Sequence, residues 1–197
     1  MSKYKHRVCF LDFETTGSNL FEDDPIQIGA ILVDIKTNEV ISEFESNIRP
    51  SSNVSNTTVA FQTHGINLED LNSAPKQGEV LESFFETVGT DYCFAGWNIS
   101  FDVPFFRKMC YKNDFYDLYN KINYRHIDVQ SICRLLKLSA LIDEDLYSLS
   151  DFADYFKLRR SKKHTALEDV YITYEVFSKA LNFFKSSKSI NQDLFIQ

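Results

Sequence analysis

Residues 8–17 read Val-Cys-Phe-Leu-Asp-Phe-Glu-Thr-Thr-Gly, an apolar run that sets two carboxylates into what reads as a largely buried strand. Side chains alternate across a strand, so Asp12 and Glu14 share one face. Neighbouring acids on a buried face repel each other and resist desolvation unless a counter-charge meets them; a hard divalent cation held by oxygen ligands provides one. Alone, Asp-x-Glu also fits a strand end where both acids reach water.

Two further groups follow. Tyr92-Cys-Phe-Ala-Gly96 reads as a short buried strand, succeeded by Trp97-Asn-Ile-Ser-Phe-Asp-Val-Pro-Phe-Phe106. Pro104 suits a first helical turn, with Ser100 or Asp102 near its start. By itself Asp102 reads as a cap that accepts free backbone N–H groups. His164-Thr-Ala-Leu-Glu-Asp169 contains the capping box Thr-x-x-Glu, and Val170, Tyr174, Phe177, Leu181 and Phe184 recur at helical spacing to about residue 185. His164 then precedes the helix and Asp169 lies just over one turn inside it. A loop histidine can take a proton from water near neutral pH, and a helix-borne carboxylate is a rigid metal ligand. The same two residues also read as an exposed loop histidine and a first-turn acid favoured by the helix dipole.

In this order the three groups resemble the DnaQ-like 3′–5′ exonucleases of the DEDDh type. Asp12-Phe-Glu-Thr-Thr-Gly17 is similar to that family's first motif, Asn98-Ile-Ser-Phe-Asp102 to its second and His164-Thr-Ala-Leu-Glu-Asp169 to its third. Thr63-His64-Gly65-Ile66 with its following acidic turn, and His126-Ile-Asp128 before an apolar helix, are lesser echoes. The resemblance implies an α/β chain with a ribonuclease H-like fold, a central mixed five-stranded sheet flanked by helices. It implies removal of nucleoside 5′-monophosphates from the 3′ end of DNA, in the manner of a proofreading subunit such as DNA polymerase III epsilon. Asp12, Glu14, Asp102 and Asp169 would hold two Mg²⁺ ions, with Mn²⁺ able to substitute, and His164 would accept the water proton. Substrate contacts are expected from Thr15, Thr16, Gly17, His64, Asn98 and Phe101. An exoribonuclease trimming short RNA is the alternative within the family, because Tyr124-Arg-His-Ile-Asp128 is similar to a segment of oligoribonuclease-like members. A catalytically silent nucleic-acid-binding or polymerase-accessory module is the alternative of another class. Such a module is expected to lose a metal ligand, whereas this chain keeps all five positions.

The remaining elements fit one α/β unit. Strands are expected near 7–13, 25–34 and 39–48, with a turn at Thr37-Asn38. After Pro75 comes an amphipathic helix carrying Val80, Leu81, Phe84, Phe85 and Val88. Asp128 reads as the cap of a helix with the stripe Val129, Ile132, Cys133 and Leu136, and Ser148-Leu-Ser-Asp151 as a second capping box. Phe13, Phe105, Phe106 and Trp97 read first as core and second as base-stacking surfaces. With 197 residues, 44% of them hydrophobic, and 18 phenylalanines, the chain has enough apolar surface for one folded domain. That domain is expected over 1–185, with 186–197 as a flexible tail.

No apolar run approaches the ~20 residues of a membrane span and the first residues lack the apolar stretch of a secretion signal, so a cytoplasmic protein is expected. The four cysteines lie singly in apolar segments and read as reduced core residues. A net charge of −7 disfavours tracking along a duplex and suits a small footprint on the last nucleotides of a single-stranded 3′ end. The dense basic run Arg159-Arg160-Ser-Lys162-Lys163, directly before His164, reads as phosphate steering. In the tail, Asn191-Gln-Asp-Leu-Phe195 loosely resembles peptides that dock replication proteins onto a sliding clamp, although the usual leading Gln and second-position Leu are missing. A packed terminal hydrophobe is the competing reading there.

Overall fold

The computed structural model describes residues 6–51, 66, 68–142, 145–159 and 165–192. Five strands form one sheet: β1 (Arg7–Thr15), β2 (Pro25–Asp34), β3 (Glu39–Asn47), β4 (Cys93–Gly96) and β5 (Asn123–Asp128). Their order is β3-β2-β1-β4-β5. The first three make an antiparallel meander, while β4 and β5 join β1 in parallel. The helices are α1 (Leu68–Ser73), α2 (Gln77–Val88), α3 (Asp102–Lys112), α4 (Tyr116–Tyr119), α5 (Val129–Leu138), α6 (Leu149–Tyr155) and α7 (Ala166–Gln192). The mixed, helix-flanked sheet is the ribonuclease H-like architecture that the resemblance implies.

The pleat of β1 sorts the core into two layers. Cys9, Leu11 and Phe13 face α2 and α3, packing with Phe84, Phe106 and Met109. Val8 and Phe10 face the opposite way, toward α5, α6 and α7, among Cys133, Phe152, Val176 and Phe177. β2 is buried on both faces and is apolar almost throughout, whereas edge strand β3 is largely exposed and alternates. The phenylalanines and Trp97 weighed above as stacking surfaces are used in this packing: Phe13, Phe105 and Phe106 are buried, and Trp97 lies against Phe152 at 5.8 Å.

The expected caps are present. Asp128 accepts a hydrogen bond from the Gln130 N–H at 3.2 Å, and Ser148 with Asp151 closes a reciprocal box at the start of α6. Asn38, in the β2–β3 turn, has φ 59°, a left-handed value that asparagine tolerates. The end of α7 differs from expectation. The helix continues to Gln192, so the first part of the anticipated 186–197 tail is helical. No proline or glycine interrupts residues 178–192, and propagation adds a hydrogen bond for each residue fixed once a helix is under way. Residues 193–197, and with them most of the Asn191–Phe195 segment, lie outside the described residues. Among the described residues no helix is long and apolar enough to cross a membrane, and all four cysteines are free.

Candidate active site

Asp12 and Glu14 continue the even-numbered face of β1, so they project toward the layer that holds α7. That helix starts unusually close to the sheet. Asp12 pairs with Gly29 on β2, and a Cβ placed on Gly29 would lie 2.3 Å from the backbone of Ala166 and Leu167. Only glycine leaves room for the helix start there. Gln27, two residues earlier on the same face, accepts a hydrogen bond from the Ala166 N–H at 2.9 Å, satisfying one of the free donors of the first turn. Its amide nitrogen donates to Asn47 Oδ1 at 2.9 Å, which fixes the Gln27 side chain. Thr165 accepts from the Glu168 N–H at 3.3 Å, the expected half of the capping box. These contacts set Asp169 over the strand acids.

The result is a cluster in which Asp12, Glu14 and Asp169 each offer a carboxylate oxygen within 4.8 Å of the others. All three are partly exposed, so the cluster opens to solvent. Asp102 joins from the other layer. It begins α3, is 2% exposed, and its Oδ1 accepts the Phe13 N–H at 3.0 Å. This bond anchors the start of α3 between the two strand acids.

The protonation of these acids reflects their crowding. Burial pushes the Asp12 carboxyl well above the usual aspartate range, with Asp102, Glu14 and Asp169 adding repulsion in that order. Burial likewise raises Asp102, against the opposing hydrogen bonds from the Phe13 and Asp102 N–H groups. Glu14 is raised to about 7, first by burial and then by Asp169. A cluster of hard oxygen donors held together against its own repulsion is a cation-binding arrangement. The residues therefore fit the divalent ions that the sequence pattern implies.

The residues expected to touch substrate fall into three sets. Thr15 and Thr16 are buried and their hydroxyls are engaged within the chain, donating to Gly17 O at 2.7 Å and to Asp23 Oδ1 at 2.9 Å. The Thr16 N–H also donates to Asp24 O. The close approach that Gly17 permits is made by Asp23, whose carboxylate would lie 2.4 Å from a Cβ at that position. Asn98, at φ 57°, donates its N–H to Asp128 Oδ1, and Phe101 packs on Phe105 at 5.1 Å. His64 and His164 lie outside the described residues, as does the basic run apart from Arg159, which is exposed. Gln27 and Gly29 are the site-building residues that motif reasoning passes over. Their signal is a polar residue and a glycine inside the otherwise apolar Pro25-Ile-Gln-Ile-Gly-Ala-Ile-Leu-Val strand.

Residues 9–177 match the family model described as exonuclease, of the RNase T type. The chain belongs to the exonuclease family. Among exonuclease-family relatives, it is 30% identical over 173 residues to the PolC-type DNA polymerase III of Caldanaerobacter subterraneus, and 30% identical over 180 residues to the 3′-5′ exonuclease DinG of Staphylococcus saprophyticus. These alignments take in 86% and 89% of this chain but 11% and 18% of those proteins, so the exonuclease domain spans a small part of each relative's length. Escherichia coli exonuclease I in complex with a dT13 oligonucleotide superposes with a TM-score of 0.74 at 20% identity, covering 95% of this chain and 43% of that one. Exonuclease I of Methylocaldum szegediense gives 0.74 at 21% identity, covering 92% and 43%. At these identities the likeness shows the ribonuclease H-like fold.

Proposed function

We propose that this chain is a metal-dependent 3′–5′ exonuclease that releases nucleoside 5′-monophosphates from single-stranded DNA ends. The observation that carries this reading is the convergence of Asp12, Glu14 and Asp169 within 4.8 Å, with Asp102 tied to the same strand through the Phe13 N–H. The name of the DinG relative supports the 3′–5′ polarity, and the DNA polymerase name of the PolC relative with the dT13 carried by exonuclease I supports DNA as the polymer.

Asp12, Glu14 and Asp169 would hold two Mg²⁺ ions, and Asp102 would hold one directly or through water. When bound, such ions supply charge stabilisation at the phosphoryl oxygens and make an attacking water more acidic. The chain's own contribution is positional. β1 presents Asp12 and Glu14 on a rigid pleat, and Gln27 and Gly29 seat α7 so that Asp169 closes the cluster. His164, one residue before Thr165, takes the water proton as general base. Opening of the cluster to solvent gives a phosphodiester access to it. The four free cysteines support work in a reducing compartment, the cytoplasm.

The test is digestion of 5′-labelled single-stranded DNA, a mismatched primer–template and a short RNA, side by side with Mg²⁺ and Mn²⁺, using Asp12→Ala as the blank. A ladder shortening from the 3′ end of DNA, absent in the variant, is expected. Equal digestion by the variant would overturn the assignment, and a ladder on RNA alone would replace DNA as substrate.

A further inference from the structure

The outer face of α3 forms the floor of a trough of about 660 Å³ whose lining holds none of the clustered acids. Val103, Pro104, Arg107, Lys108, Tyr111 and Lys112 line it along the helix axis. Leu20 and Phe21 of the β1–β2 loop form one side, and Tyr119, Tyr124 and His126 the other. Three features of this surface bear on what it could hold.

First, aromatic rings stand in water: Phe21 is 92% exposed and Tyr124 78%, in a chain that buries most of its large apolar side chains. Second, the lining has three cations and no carboxylate, although the chain carries a net charge of −7; Lys108 is paired behind the lining with buried Asp24 at 3.7 Å, which leaves Arg107 and Lys112 as the cations offered to the trough. Among the described residues neither Arg107 nor Lys112 forms a salt bridge. Arg107 instead lies over the Tyr111 ring at 5.4 Å, as Arg125 does over Tyr124. Third, the loop wall is pinned. Lys108 donates to the carbonyl oxygens of Leu20 and Asp23, each at 2.7 Å, which holds the segment carrying Phe21 against α3.

The trough also has a direction. It begins at Val103, the residue after Asp102, and runs the length of α3, 11 residues or about 16 Å at helical rise. At about 3.4 Å per stacked nucleotide this is the reach of roughly four or five. Aromatic platforms interleaved with cations are the general means of holding single strands: rings stack on bases of any sequence, and basic groups follow the backbone. An acidic peptide would meet the same charges but gives no reason for the trough to begin at Val103, the residue after Asp102.

We propose that this trough binds the portion of a single-stranded DNA lying 5′ to the nucleotide in the active site, with bases on Phe21, Tyr111 and Tyr124 and phosphates near Arg107 and Lys112. The proposal rests on the exonuclease reading above and adds a second anchoring region to it. A chain that is acidic overall then gathers its nucleic-acid affinity locally, in a strip leading to the metal site.

The experiment combines binding and turnover on the full chain. Fluorescence anisotropy with labelled dT10 in EDTA measures the trough without catalysis. Hydrolysis of the p-nitrophenyl ester of thymidine 5′-monophosphate with Mn²⁺ measures the metal site without the trough. Phe21→Ala and Arg107→Ala change exposed or partly exposed side chains. Phe21→Ala is expected to weaken dT10 binding by about fivefold to a hundredfold, the range of one lost stacking contact, and Arg107→Ala to weaken it most at low salt, through one lost phosphate contact. Arg107→Ala is also expected to flatten the salt dependence of binding by a slope of about 0.7. Ester hydrolysis should stay within about twofold of the parent, in keeping with a remote contact. Parental dT10 affinity in both variants would overturn the proposal while leaving the exonuclease reading intact. A parent protein that binds dT10 through Phe21 and Arg107 yet never cleaves the ester would support the trough and sink the exonuclease reading. Displacement of dT10 by an equal concentration of oligoglutamate, or tighter binding of rU10, would overturn DNA as the occupant.

Discussion

Glu14→Gln should stabilise the metal-free protein while removing its function. In the folded chain Glu14 titrates at about 7 rather than 4.5, through burial and the nearby Asp169. The native state therefore binds more protons than the unfolded state between those values, and stability falls as pH rises across that window. The difference corresponds to at most about 3.4 kcal/mol above pH 7. Because Glu14 is partly exposed, solvent screening reduces this to about 1–2 kcal/mol. The amide keeps the shape of the side chain without its charge, so in EDTA at pH 8 the variant should melt higher by about 2–8 °C for a domain of this size. At pH 5, near the foot of that window, folded Glu14 is protonated and the unfolded chain has begun to take up the proton, so about three quarters of the difference should be gone. Adding Mg²⁺ should raise the melting temperature of the parent more than that of the variant, because the ions are bound by the acids that otherwise repel. Differential scanning fluorimetry at both pH values, with and without Mg²⁺, provides the measurement. A variant no more stable than the parent at pH 8 in EDTA, or one with the same advantage at pH 5, would refute the picture of desolvated acids restrained against their own repulsion.

Other consequences can be checked alongside. Gly29→Ala forces a Cβ into the backbone of Ala166 and Leu167; a loss of about 1–3 kcal/mol in urea unfolding and a fall in Mn²⁺ affinity by calorimetry are expected as Asp169 moves away from Asp12. Gln27→Leu leaves the buried Ala166 N–H without its acceptor, with an expected loss of about 1–3 kcal/mol by the same measurement. At Asp24, burial opposes the charge, but hydrogen bonds from the Ser51 hydroxyl and N–H, with Lys108 and then Lys112, outweigh it and lower the pKa. Its stabilisation is present above the ordinary aspartate range and is lost as pH falls through the lowered value, so Asp24→Asn should flatten the acid limb of a stability–pH profile. His164→Ala should depress turnover by about 10²–10⁴-fold while preserving the Mg²⁺-induced rise in melting temperature; near-parental turnover at neutral pH would remove it as the base.

Much of this molecule is legible locally. The pleat of β1 makes Asp12 and Glu14 share a face whatever surrounds them, and the Ser148 and Asp128 caps depend only on residues within three positions. Periodicity also marks the helix from Ala166, since its apolar positions must meet the sheet. The end of that helix is less legible, because residues 186–192 have neither a breaker nor an apolar stripe. Thr15, Thr16 and Gly17 share a motif with the strand acids, yet the loop folds their hydroxyls and close approaches inward, onto Gly17 O and Asp23.

By itself, the order of amino acids determined which residues carry charge, which face of each strand or helix they occupy, and where helices begin, because these follow from bonds and contacts a few residues long. Only the tertiary structure decided that Asp169 lies over Asp12 and Glu14, that Asp102 is anchored by the Phe13 N–H, and that Phe21 shares a trough with Tyr124. Those distances depend on Gly29 admitting a helix against the sheet, on Gln27 capping it from 139 positions away, and on Lys108 tying down a loop 85 and 88 positions distant. Long-range packing of this kind is a property of the closed fold, since no local pattern records which backbone will approach which glycine.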